Sequence, residues 1–229
     1  MSTLVLFPID YDDRKPIGRT GEYISAIGLG TWAIKNYSRA EETFIYSIEH
    51  GIDNIDTAEM YDSGRAEEFV GRIVRRTGKD RISITTKMMP HHLISRDEVL
   101  RAARASLRRL GLECVDLFLI HWSNELIPIE EQVRNFEAVY LEGLARYIGV
   151  SNFNVGELER AMSATCKAEI AVDQVHYSIL HRDIEGDLLP YAIRNEVTIQ
   201  AYTPIEYGAV SKHRIVREVT SRLEKHQYK

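Results

Sequence analysis

The residues of this chain best suited to acid–base chemistry are Asp56, Tyr61, Lys87 and His121. Asp56 and Tyr61 bracket the run DTAEMY, Lys87 closes ISITTK, and His121 closes VDLFLIH. A phenol has an ordinary pKa of about 10, but an adjacent ammonium stabilises the phenolate and lowers that value. Lys87 would supply the ammonium. Asp56 would pair with it and hold it charged in a partly desolvated mouth, while His121 would position a carbonyl oxygen by a hydrogen bond. The product is a proton donor beside an oxyanion site. Singly, each residue has a plainer reading: a cap or ion-pair partner for Asp56, amphipathic packing for Tyr61, snorkelling for Lys87, a satisfied core position for His121. Their joint placement at three successive strand ends, with the tyrosine just after the first, points to chemistry.

The elements that must position them recur at about 30 residues, the size of a βα unit. Strands are expected at 26–32, 54–57, 82–87, 115–121, 145–151, 170–175 and 197–202. Helix starts are marked by an N-cap residue three positions before a glutamate, at Ser38/Glu41, Ser95/Glu98 and Asn154/Glu157. Gly51, Gly111 and Gly143 follow apolar-periodic segments, where a left-handed C-cap needs no Cβ. After Pro128, the spacing of Ile129, Val133, Phe136 and Tyr140 puts an apolar stripe on one helix face. Alternating strands and helices imply a parallel sheet with right-handed crossovers, either open or closed. Six of the seven strands end in polar or aromatic residues, Asp56, Lys87, His121, Ser151–Asn152, Gln174 and Tyr202. A closed barrel brings all its strand ends to one mouth, so this favours a TIM (β/α)8-type barrel. Residues 1–25, with Gly18 and Gly21, are expected to form a hairpin ahead of it, and no linker divides the chain: 1–229 reads as a single barrel domain.

Composition narrows the classes. The chain has 229 residues, 44% of them apolar and 28% charged, enough for one sizeable core. A formal charge of −5 argues against a nucleic-acid partner, since phosphate binders concentrate basic residues. Residues 1–13 lack the basic flank of a signal peptide, and no apolar run approaches the roughly 20 residues that span a bilayer. Two cysteines, Cys114 and Cys166, make no disulfide framework and suggest a reducing, cytoplasmic setting. His91–His92 lack a companion at metal-ligand spacing and read as an exposed loop, so no metal is expected. The TGKD run lacks the upstream glycine of a P-loop and reads as a turn.

The chain resembles the aldo-keto reductases. The matching stretches are GLGTW at 28–32, DTAEMY at 56–61, TTK at 85–87, SLRRLGLECVDLFLIHW at 106–122, IGVSNF at 148–153, VDQVHY at 172–177 and AYTPI at 201–205. The resemblance implies a catalytic tetrad of Asp56, Tyr61, Lys87 and His121. Tyr61 would be the general acid in reduction of an aldehyde or ketone to an alcohol by hydride transfer from NADPH or NADH. It implies that Ser151, Asn152 and Gln174 bind the nicotinamide carboxamide, that Tyr202 stacks on its ring, and that Thr203 and Ile205 lie by the pyrophosphate. Gly30 and Thr31 would sit beside the cofactor, and Trp32 and Trp122 would wall the substrate pocket.

The sequence departs from the family at its end. The family's eighth strand and helix, with their adenosine-gripping basic segment, are not found, so the barrel is expected to lack its eighth βα unit and to leave strand edges open to self-association. Weaker grip on a 2′-phosphate is expected with them. Two other readings stand beside the reductase. One is a non-catalytic, cofactor-sensing barrel acting as a binding or regulatory subunit, which has no need of all four polar groups. The other is a barrel glycosidase, which requires a second carboxyl group at the mouth that Asp56 does not have.

Overall fold

In a computed structural model, which describes residues 13–222, the alternating pattern folds into one parallel sheet of seven strands. The strands are β3 (Leu29–Gly30), β4 (Asn54–Asp56), β5 (Ser83–Met88), β6 (Val115–Ile120), β7 (Ala145–Ser151), β8 (Ile170–His176) and β9 (Thr198–Tyr202), paired in chain order. They are preceded by an antiparallel hairpin of β1 (Arg14–Pro16) and β2 (Tyr23–Ser25). The hairpin expected within residues 1–25 is therefore found, and residues 1–12 lie outside the described range.

The sheet is curled. Gln174 on β8 and Asp56 on β4 are four strands apart, which in a flat sheet is about 19 Å. Yet the Gln174 Nε2 donates to Asp56 Oδ1 at 2.8 Å across the interior. Side chains therefore alternate between an inner face and a helix-covered outer face. Leu117, Leu119, Ala171 and Val172 face inward and pack on Ile17 and Ile24 of the hairpin, which plugs the N-terminal end. Gly18 has φ +50°, and a Cβ there would stand 2.8 Å from the Ala171 carbonyl oxygen, so the plug needs this glycine. The outer face carries the larger core, in which Phe118 of β6 meets Phe136 edge-on at 5.8 Å between centroids. The first and last strands, β3 and β9, have no second neighbour among the described residues.

The helices on that outer face are α1 (Tyr37–Glu49), α2 (Arg65–Thr77), α3 (Arg96–Leu110), α4 (Ile129–Phe136), α5 (Ala138–Leu141), α6 (Val155–Ala164) and α7 (Leu188–Arg194), and α8 (Ala209–Lys212) and α9 (Arg214–Arg222) follow β9 without burying a side chain. Ser95 caps α3 through the Glu98 N–H, and Asn154 with Glu157 forms a complete capping box on α6. The third expected cap is corrected: Asn36, not Ser38, accepts from the Arg39 N–H and starts α1 two residues earlier. Gly51, Gly111 and Gly143 all take positive φ, as expected. The stripe after Pro128 is also corrected. It breaks at Glu137, so Ile129, Val133 and Phe136 are buried on α4, whereas on α5 Val139 is buried and Tyr140 is partly exposed. At the junction the Glu137 carboxylate accepts from the N–H groups of Cys166, Lys167 and Ala168, fastening the loop that leads into β8.

Candidate active site

Seven of the eight described non-glycine residues with positive φ lie in turns leaving the C-terminal ends of strands: Ala33, Asp62, Ser63, Asn152, Thr203, Glu206 and Tyr207. Each such conformation costs on the order of 1–3 kcal/mol and persists only where the surroundings enforce it. A cavity of about 850 Å³ opens at this end and continues between β3 and β9 to the hairpin, where Lys15, Ile24, Asn54 and Thr198 line it.

Asp56, Lys87 and His121 reach the mouth because each occupies or follows the last inward position of its strand. Lys87 is almost wholly buried, and its Nζ donates to Asp56 Oδ2 at 2.7 Å, to the Thr57 carbonyl at 2.9 Å and to the Tyr61 hydroxyl at 3.1 Å. All three ammonium protons thus have acceptors. Tyr61 stands in the turn after β4, with the Lys87 ammonium 4.8 Å from its ring centroid. Its ring meets Trp32 edge-on at 5.0 Å and His121 at 5.7 Å, and Trp122 follows at 4.5 Å from His121. Trp32 is about half exposed and Trp122 a third, so these rings form a wall that still faces solvent.

The electrostatics differ from the sequence expectation in one respect. Burial, and next the Asp56 carboxylate, push the Tyr61 hydroxyl above its ordinary value, whereas Lys87 was expected to lower it. Burial disfavours a phenolate taken out of water, and it likewise lowers the Lys87 ammonium while Asp56 opposes that shift. Tyr61 therefore holds its proton at neutral pH. Burial, followed by repulsion from Lys87, depresses His121 to about 3, so its imidazole is neutral. Its Nδ1 is buried with no hydrogen-bond partner among the described residues.

On the opposite side of the mouth, the Ser151 Oγ donates to the Gln174 carbonyl at 2.7 Å. The Asn152 Nδ2 donates to the His121 carbonyl at 3.1 Å and to Ser151 Oγ at 3.0 Å. The Tyr202 hydroxyl donates to Asn152 Oδ1 at 2.8 Å, and the Tyr202 ring lies parallel to His176 at 5.4 Å. Gly30, Trp32, Trp122, Ser151, Asn152, Gln174, Tyr202 and Thr203 line the cavity with Asp56, Tyr61 and His121. Three expected residues do not: Lys87 lies buried beneath Asp56 and Tyr61, and Thr31 and Ile205 are also outside the lining. Thr31 is buried, with its hydroxyl donating to the Asp56 carbonyl, and Ile205 has two thirds of its surface exposed.

His91–His92, expected to form an exposed loop, is corrected for one member. His92 is tucked in, with Nδ1 2.6 Å from Glu98 Oε1 and Nε2 3.5 Å from Glu59 Oε1. Among residues that sequence reasoning missed, Met60 and Tyr207 line the cavity and Gln200 faces Gln174 at 3.2 Å. The alternation of β9 would have placed Gln200 on the inner face, two residues before Tyr202. Tyr207 lies in a turn whose path no periodicity fixes.

A curled parallel sheet, wrapped in helices and carrying its titratable group at the strand C-termini, defines an α/β protein of the TIM-barrel type. The sequence model described as Aldo/keto reductase family matches residues 26–227, and the chain belongs to that family. It is 33% identical over 211 residues to aldo-keto reductase YhdN of Bacillus subtilis, covering 85% of this chain and 62% of that protein's length. Among solved structures, it is similar to the thermostable aldo-keto reductase Tm1743 in complex with the inhibitor epalrestat, with TM-score 0.85 and 38% identity over 92% of this chain and 80% of that one. It is also similar to an aldo-keto reductase from Klebsiella pneumoniae in complex with NADPH, with TM-score 0.78 and 32% identity over 88% and 73%. Among the described residues, no helix is long and apolar enough to cross a membrane.

Proposed function

We propose that this single-domain protein is an oxidoreductase that reduces aldehydes or ketones to alcohols with NADPH or NADH, using Asp56, Tyr61, Lys87 and His121 as its catalytic group. The observation that carries the reading is the Lys87 ammonium, buried and held by Asp56 at 2.7 Å while donating to Tyr61 at 3.1 Å beneath the cavity that Asp56, Tyr61 and His121 line. The NADPH held by the Klebsiella pneumoniae relative supports the cofactor class.

The residues present fit a nicotinamide. Ser151, Asn152 and Gln174 supply one hydroxyl and two amides on one rim, the donors and acceptors that a carboxamide needs, and the Tyr202 ring has one face against His176. A reduced nicotinamide held there supplies the hydride. Trp32 and Trp122 wall the carbonyl substrate and exclude water from one side. The neutral His121 fixes the carbonyl oxygen, and Tyr61 surrenders its proton only when that oxygen becomes an alkoxide, a far stronger base than the ground-state carbonyl. The Lys87 ammonium stabilises the phenolate left behind, and Asp56 holds Lys87 in place. In the opposite direction Tyr61 takes the proton back. Thr203 stays near the cofactor's phosphates in this reading, whereas Thr31 acts on Asp56 through its hydrogen bond and Ile205 has no role in the cavity. Free Cys114 and Cys166 support a reducing, cytoplasmic setting, and the unpaired edges of β3 and β9 support self-association.

Fluorescence titration with NADPH and NADH, followed by cofactor consumption across an aldehyde panel, tests the reading. Tyr61→Phe is expected to bind cofactor as the parent does and to lose roughly 10²–10⁴-fold in kcat. Binding of neither cofactor at millimolar concentration would remove the proposal, and binding without any turnover would replace it with the sensor reading.

A further inference from the structure

We propose that Arg109, at the end of α3, is a positioning residue for the reaction: it clamps the strained turn behind Tyr61 and, through Glu67, the strand segment that carries Lys87. This rests on the reductase reading above. Tyr61 is followed by three consecutive residues in the left-handed region, Asp62 (φ 49°), Ser63 (φ 56°) and Gly64 (φ 89°). Two of them carry side chains, so the turn is strained and must be held from outside. The Asp62 carboxylate is tied to Tyr37 and Arg65 on its exposed side. On its inner side stands Arg109, whose Cδ and Nε fill the space where a Gly64 Cβ would be, at 2.6 and 2.8 Å.

From there the guanidinium reaches both flanks of the catalytic pair. Its Nε donates to Glu67 Oε2 at 2.6 Å, and its Nη2 donates to Ser106 Oγ at 3.0 Å and lies 3.9 Å from Glu59 Oε2. Glu67 is fully buried, and its other oxygen accepts from the Thr86 hydroxyl at 2.6 Å, one residue before Lys87. Glu59, inside the segment between Asp56 and Tyr61, accepts from the Met89 N–H at 2.5 Å, two residues past Lys87. One side chain thus fixes the turn of Tyr61 against the strand of Lys87 from both ends. It also holds the Glu67 charge, which burial disfavours, close enough to Lys87 to favour its ammonium form. A 3.1 Å hydroxyl–ammonium contact tolerates little displacement, and misplacement by about 1 Å is enough to cost roughly 100-fold in rate.

Arg109→Gln, Arg109→Lys, Glu67→Gln and the double variant Arg109→Met with Glu67→Gln, made in the full chain, test the clamp. The expected result is a fall of about 10–100-fold in kcat for Arg109→Gln, partial recovery in Arg109→Lys, and NADPH dissociation constants within about twofold of the parent. Glu67→Gln is expected to move the alkaline limb of the kcat profile to lower pH, because Lys87 loses a charge that favours its protonated form. The double variant leaves no lone buried charge, so it is expected to fold where Arg109→Gln does not, and to keep the kcat loss. Hydrogen exchange over residues 57–64 gives a readout free of turnover: faster exchange there, with α2 and α3 still protected, is expected in Arg109→Gln or, where that fails to fold, in the double variant. Unchanged kcat and pH profile in folded variants would overturn the inference, as would losses that follow thermal stability alone with no recovery in Arg109→Lys. A parent protein that consumes no cofactor would sink the reductase reading instead, and exchange over 57–64 would then decide the clamp.

Discussion

At the scale of single residues, the site works by keeping charges where water cannot reach them. His121, pushed down to about 3 by burial and by the Lys87 ammonium, stays neutral through the working pH range. Its ring signals in NMR are expected not to titrate between about pH 8 and 5, against the ordinary histidine value of about 6.5, and a transition near 6.5 would contradict the site geometry. Asp173 is the reverse case. It sits on the outer face of β8 beside Gln174, fully buried, with neither carboxylate oxygen hydrogen-bonded among the described residues. Burial raises it to about 8, with the Glu157 charge adding to the rise and the nearby Phe153 N–H opposing it without reaching good hydrogen-bond geometry. The folded protein therefore holds a proton that the unfolded chain releases near pH 4, so folding stability falls as pH rises from about 4 to 8 and levels off above that. Asp173→Asn is expected to match the parent near pH 4 and to exceed it by a few kcal/mol near pH 8, on the order set by the shift. Urea titrations at the two pH values check this, and equal stability at both would refute the assignment.

Between elements, the spacing of α2 and α3 decides whether Arg109 can reach Glu67. The two helices approach at Gly71, where a Cβ would stand 2.6 Å from the Leu110 carbonyl oxygen. That oxygen belongs to helix backbone and has no easy way to yield, so Gly71→Ala is expected to cost about 1–3 kcal/mol in denaturant unfolding. The same spacing change is expected to loosen the Arg109 clamp and lower kcat. At the mouth, the capping box of Asn154 starts α6 two residues after the strained Asn152. Asn154→Ala is expected to cost about 1 kcal/mol, visible as a lowered thermal midpoint, with weakened cofactor binding because Ser151 and Asn152 lose their anchor.

For the whole molecule, curling of the sheet is what gathers side chains from β4 and β8 into one cavity, and the same curl leaves the outer edges of β3 and β9 unpaired among the described residues. Unpaired strand edges are templates for pairing with another chain. Sedimentation velocity over a range of concentrations is expected to show self-association that a monodisperse monomer would rule out. Bound cofactor is expected to raise the thermal midpoint, since a ligand at about 100 times its dissociation constant adds roughly 2.7 kcal/mol to stability.

The seven strands, the hairpin and the starts of α3 and α6 were legible in the sequence because period-2 patterning, caps and glycines act over a few residues, although the strand expected at 26–32 shrinks to Leu29–Gly30. Asp56, Lys87 and His121 were legible as a set for the same reason: each terminates a local apolar run, and a parallel sheet sends such ends to one side. Asn36 replaced Ser38 as a cap because both are residue types whose short side chains can accept from a first-turn N–H, so composition alone leaves the choice open. The stripe from Ile129 to Tyr140 ended with Tyr140 partly exposed, while the Glu137 side chain serves a loop about thirty residues away. Tertiary structure alone decided the direction in which Tyr61 is shifted, since burial, the largest cause, is a property of the assembled interior. It alone revealed Arg109, Glu67 and Thr86, which lie on three elements and meet only when α2 and α3 pack against β5. Local chemistry named the groups proposed to react; long-range packing set their distances and charges, because both depend on atoms far away along the chain.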